Sequence, residues 1–100
     1  MARVEWSDEA DAALATLIRS HSLPADTRAR LRNSLQGLTR FPRMGVEIPH
    51  PGADLRFVLG PWRWLVVIYV YFGDEDRGVV VTVEDGRAST PIASRRRRQR

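Results

Sequence analysis

The sequence predicts an α+β domain in the order β-α-α-β-β-β, an antiparallel sheet with an antiparallel helix pair packed on one face. Three observations carry this reading. Residues 8–18 place apolar side chains at helical spacing. Residues 55–84 form apolar runs broken by turn residues, the pattern of consecutive strands. Between these halves lies a proline-rich stretch that fits neither period. A chain of 100 residues with 43% apolar content makes one domain with one modest core.

The elements follow in order. Arg3–Trp6, RVEW, alternates polar and apolar and predicts a short strand. Ser7 stands where a helix N-cap belongs, and Asp8, Glu9 and Asp11 fall in the first turn, where the helix dipole favours carboxylates. Ala10, Ala13, Leu14, Leu17 and Ile18 give that helix one buried face. It should fade near His21–Ser22, because Pro24 restricts Leu23. A second helix starts near Pro24 or Asp26, buries Leu31, Leu35 and Leu38, and ends at Phe41-Pro42. The short link between the helices makes them antiparallel neighbours.

Residues 42–54, PRMGVEIPHPGAD, contain three prolines and two glycines and predict a loop without a strand ladder. Leu55–Leu59 reads as a strand, Gly60-Pro61 as a tight turn, and Arg63–Phe72 as a long strand rich in β-branched and aromatic residues. Gly73–Gly78 is a hairpin loop and Val79–Glu84 the next strand, so the three form an antiparallel meander. The middle strand does not alternate, as expected of a strand covered on both faces. Asp85-Gly86 turns the chain, and Pro91-Ile92-Ala93 predicts a short edge piece. The domain is expected over residues 1–93, followed by a disordered arginine-rich tail over residues 94–100.

Composition excludes several chemistries. There is no cysteine, hence no disulfide, thiolate nucleophile or zinc–thiolate centre. No cofactor or metal is expected. The apolar run Trp64–Phe72 spans nine residues, whereas a membrane-spanning helix needs about 20. The N-terminus MARVEWSDEADAAL has acids where a signal peptide would be apolar, so a cytoplasmic protein is expected. All sixteen basic residues are arginine, which makes position more informative than number. Arg95, Arg96, Arg97, Arg98 and Arg100 leave eleven arginines against twelve acids in residues 1–94, a net charge of −1. The basic balance is therefore a property of the tail.

Three short motifs recur in a telling order. Pro42-Arg43-Met44-Gly45 follows the second helical stretch, Leu55-Arg56 opens the meander, and Gly60, Trp62 and Arg63 precede the long apolar run. With this order of elements, residues 3–87 resemble the RelE/ParE superfamily, the toxins of bacterial type II toxin–antitoxin pairs. The resemblance implies a cognate antitoxin whose helix and extended segment wrap the toxin. It implies one of two activities: metal-free cleavage of messenger RNA on the ribosome, as in RelE-like and YoeB-like members, or poisoning of DNA gyrase, as in ParE-like members. A third reading is a toxin-fold binding module without catalysis.

Metal-free RNA cleavage needs a base for the 2′-hydroxyl, a cation for the phosphorane and an acid for the leaving oxygen. Arginine suits the cation role, because its planar fork holds phosphate and stays charged. The resemblance assigns Arg63 and Arg56 to the phosphate, with Arg87 as the basic residue after the last strand. Arg63 could equally pair with Asp54 or Glu84 at a sheet edge, and Arg56 fits a sheet-surface salt bridge. Glu47 matches the loop glutamate that serves as base in YoeB-like members, against the plainer reading of a solvated carboxylate. His50, between Pro49 and Pro51, reads as a turn residue. Trp62 and Trp64 read as core residues whose faces also suit base stacking. Arg43, Arg95, Arg96, Arg97 and Arg98 are expected to add nucleic-acid contacts. The general acid is missing: VEDGRASTPIASRRRRQR holds no His or Tyr, and Glu84 and Asp85 stand there instead.

Overall fold

The structure is a computed structural model and describes residues 1–87. Its elements are β1 (Arg3–Trp6), α1 (Asp8–Ser20), α2 (Thr27–Ser34), α3 (Gly37–Arg40), β2 (Val46–Ile48), β3 (Asp54–Leu59), β4 (Leu65–Phe72) and β5 (Arg77–Asp85). The edge piece at Pro91-Ile92-Ala93, the tail over 94–100 and the arginines Arg95, Arg96, Arg97 and Arg98 lie outside the described residues.

The five strands make one sheet in the order β1-β5-β4-β3-β2. The meander β3-β4-β5 is antiparallel as expected. Two features depart from a purely antiparallel three-strand sheet. β1 joins β5 in parallel, with Arg3 opposite Arg77 and Trp6 opposite Val80. β5 would otherwise present an open edge of backbone donors and acceptors, and β1 satisfies it. In addition, the proline-rich stretch contains a strand. Val46–Ile48 pairs with Leu55–Phe57, and Ile48 is buried. The prolines flank these three residues without interrupting them, which is where an edge strand tolerates proline.

α1 forms as its sequence dictates. Ser7 accepts a hydrogen bond from the Ala10 N–H at 3.0 Å, and Asp8, Glu9 and Asp11 fill the first turn. Its other end closes with two backward bonds, Ser22 N–H to Arg19 O (3.4 Å) and Leu23 N–H to Ile18 O (3.0 Å). Ser22 sits at φ 50°, the left-handed position such a helix end requires. The second helical stretch divides in two. The α-helical bonding of α2 stops at Ser34, and the i+3 bonds Leu38 N–H to Leu35 O and Thr39 N–H to Gln36 O carry the chain into α3. The predicted stripe survives the break: Leu31, Leu35 and Leu38 are all buried.

The helices cover one face of the sheet. Ala10, Leu14, Leu31, Leu35 and Leu38 pack with Leu65, Val67, Tyr69, Val80 and Val83. On the other face Ile48, Val66 and Ile68 cluster with Leu55, Phe57 and Val81. β4 is thus buried on both sides, which accounts for its unbroken apolar run. It starts at Leu65 instead of Arg63. Gly60 N–H bonds Leu65 O at 2.8 Å and Leu65 N–H bonds Trp62 O at 3.0 Å, and this folds 61–64 into the turn. Among the described residues no helix is long and apolar enough to cross a membrane.

Candidate functional site

The predicted site residues fall into two groups at different places on the sheet. The first is the corner where β4 begins and β5 ends. Leu65 pairs with Asp85, and Gly86 N–H bonds Trp64 O at 2.7 Å, so the residues after β5 lie against the β3–β4 turn. Arg63 is exposed in that turn. Asp54, one of its expected partners, is held instead by Arg56 and Arg43. Arg87 lies over Trp64, its guanidinium carbon 4.8 Å from the ring centroid. Its Nε and Nη2 each donate to Asp85 at 3.1 Å, and its side chain remains 62% exposed.

Two further side chains complete this corner. His21, the C-cap of α1, places Nε2 2.9 Å from Asp85 Oδ2 and Nδ1 2.9 Å from Ser20 Oγ. Its ring stacks on Trp64 with centroids 5.0 Å apart, and Trp64 stacks on Trp62 at 5.9 Å. The Arg87 guanidinium holds the Asp85 carboxyl far below the usual carboxylate range. The His21 bond and the Arg87 backbone N–H add to this, while burial opposes it. The carboxylate in turn raises the Arg87 pKa. Arg87 and His21 are thereby fixed around one carboxylate.

The second group lies at the β2–β3 edge. Arg56 is opposite Glu47 on β2 and Tyr69 on β4. Its Nε donates to Asp54 Oδ1 at 2.8 Å, and its Nη1 donates to the carbonyls of Arg43 (2.9 Å) and Gly45 (3.0 Å). Tyr69 reinforces the same loop: its hydroxyl donates to Pro42 O at 2.8 Å and accepts from Gly45 N–H at 3.0 Å. Burial raises the Tyr69 pKa, keeping this hydroxyl protonated. Gly45 is required here, since a Cβ would sit 2.6 Å from the Tyr69 hydroxyl and 2.9 Å from Phe57 O. Arg43 lies 3.5 Å from Asp54 and 5.0 Å from the Tyr71 ring centroid, lining an open cleft of about 390 Å³ with Asp74 and Glu75. Glu47 and His50 are exposed.

The structure therefore places Arg63 and Arg87 at the same corner of the sheet and separates that corner from Arg43, Glu47 and Arg56. Along β4 the two groups stand at Leu65 and Tyr69, roughly 13 Å apart at strand rise. Sequence reasoning did not find His21 or its link to Asp85. The partners are 64 residues apart, and His21 reads locally only as a helix end. Among the described residues no group of three or more His, Asp or Glu is placed to hold a metal ion.

The fold is similar to that of RelE toxins: α+β, with helices on one face of a five-stranded mixed sheet. Three solved structures carry the comparison. The isolated E. coli RelE toxin superposes with a TM-score of 0.62 at 15% identity, covering 98% of both chains. A chain of the intact E. coli RelBE toxin–antitoxin complex gives 0.60 at 16% identity, over 90% of this chain and 100% of that one. The archaeal RelE–RelB complex from Pyrococcus horikoshii OT3 gives 0.53 at 18%, over 88% of this chain and 98% of that one. No protein-family model matches the sequence. No curated protein matches it.

Proposed function

We propose that this chain is the toxin of a type II toxin–antitoxin pair, and that the corner of the β3–β4 turn and the β5 end binds messenger RNA for metal-free cleavage on the ribosome. The observation that supports this is the placement of two arginines from distant parts of the chain at one sheet end. Arg63 is exposed in the turn, and Arg87 is laid over Trp64. Arg87 holds Asp85 through Nε and Nη2 while its side chain stays 62% exposed, a guanidinium already fixed in place. Trp64, stacked on Trp62, carries Arg87 over its ring and so fixes this cation at the sheet end. The RelBE and RelE–RelB complexes among the structural neighbours support a cognate antitoxin as partner. A ribosomal target places the protein in the cytoplasm.

The test is an in vitro translation reaction with purified protein, followed by primer extension on the message. Expected are cuts within ribosome-occupied codons, slowed about 10²-fold by Arg63→Ala and by Arg87→Ala, as for loss of one charge-stabilising donor. An intact message overturns the nuclease reading. The binding-module reading has its own support: Asp85 compensates Arg87, and residues 1–94 carry a net charge of −1. It predicts an intact message with antitoxin binding retained. Gyrase-linked DNA breaks would instead indicate the ParE-like route.

A further inference from the structure

RNA cleavage by its own 2′-oxygen breaks the P–O5′ bond, and the departing oxygen needs a proton. No histidine or tyrosine stands after β5 to supply one. The fold delivers one from elsewhere. α1 ends at the corner, where Ser22 takes a left-handed conformation and the His21 ring lies flat on Trp64. We propose that His21 is the general acid of this site, giving its Nδ1 proton to the 5′-oxygen while Nε2–H stays on Asp85. The proposal rests on the nuclease reading above.

From β5, the Asp85 carboxylate 2.9 Å from Nε2 fixes which nitrogen faces outward, and the same carboxylate holds Arg87. Nδ1 faces Ser20 Oγ, an exposed hydroxyl whose only other bond among the described residues is a long 3.5 Å contact to Leu17 O. A substrate oxygen can replace that hydroxyl. The His21 side chain is 27% exposed, enough to be reached and buried enough to be held. The other histidine, His50, sits in the loop after β2 and is absent from this corner.

The step balances without a co-reactant other than water. The 2′-oxygen bonds phosphorus and loses its proton to water. The P–O5′ bond breaks, its electron pair stays on O5′, and the His21 proton closes the 5′-hydroxyl. The product carries a 2′,3′-cyclic phosphate, and His21 regains a proton from solvent.

The experiment uses the full chain on ribosomes carrying a message with either an ordinary linkage or a 5′-bridging phosphorothiolate at the cut. Sulfur leaves as a thiolate and needs no proton. His21→Gln should slow the ordinary linkage about 10²-fold and cut the sulfur linkage within a few-fold of the unaltered protein, which also shows that the variant is folded. His21→Gln slow on both linkages, or fast on both, overturns the proposal while leaving the nuclease reading standing. No cutting of either linkage by the unaltered protein overturns both readings.

Discussion

The two ends of the β3–β4 hairpin use the same residue type for opposite tasks. At the β2 edge, Arg56 is 17% exposed and donates to two backbone carbonyls and a carboxylate. At the turn end, Arg87 is 62% exposed and is held by one carboxylate. Acceptor type separates the roles. Carbonyls 2.9 and 3.0 Å away tie Arg56 to a loop that the fold needs. A carboxylate fixes Arg87 without covering it. Arginine in a motif can mean either scaffold or ligand contact, and only the partner's identity distinguishes them.

The comparison breaks first at the scaffold end. Gly45→Ala should cost about 3 kcal/mol, because overpacking against the backbone carbonyl of Phe57 cannot be relieved by a rotamer change. Urea unfolding reads it directly, and an unchanged midpoint would mean that loop 42–45 does not contribute to the stability of the sheet. Next, Arg56→Ala should cost about 2 kcal/mol, from carbonyl and carboxylate bonds to a charged donor. Arg63→Ala should change stability by less than about 0.5 kcal/mol, since the side chain is exposed in a turn. Equal losses for the two would erase the distinction between the ends.

Much of this division was hidden from the sequence, for physical reasons. The meander was legible because Leu55–Leu59, the Trp62–Phe72 run and Val79–Glu84 carry a period that local sterics and burial impose. The helices were legible through Ser7, the first-turn acids and the Leu31–Leu35–Leu38 stripe. The Val46–Ile48 strand was not, because three residues between prolines carry no period and the strand exists only through β3. The parallel union of β1 with β5 links Arg3 to Arg77 and leaves no local mark. The site was half legible: Arg63 and Arg87 could be named, but which arginines meet depends on register. His21 was invisible as a site residue, since its meaning comes from Asp85.

A smaller effect sharpens the turn end. Asp85 has a folded pKa well below its ordinary value near 4, so its contribution to stability is present above that value and is lost as pH falls through the folded one. Asp85→Asn removes that dependence. The gap in urea midpoint between the two proteins should be full above about pH 5 and close progressively below about pH 4. A gap that persists undiminished at pH 2 would mean that the carboxylate's charge does not stabilise the corner. Above pH 5 the same gap measures what the Arg87 and His21 bonds contribute together.

A small gain in stability tests whether the corner is aimed by the backbone. Ser22 occupies a left-handed conformation that costs an L-residue roughly 1–2 kcal/mol and costs glycine nothing. Glycine returns part of that gain through the larger freedom of its unfolded chain. Ser22→Gly should therefore stabilise by about 0.5 kcal/mol, a Tm rise of about 2–4 °C for a domain of this size. If the turn alone orients His21, its ring should stay on Trp64, and ring-current shifts of the His21 protons should be unchanged. If those shifts collapse while Tm rises, the serine's restricted backbone was holding the imidazole. The turn end would then depend on local strain where the β2 edge depends on hydrogen bonds.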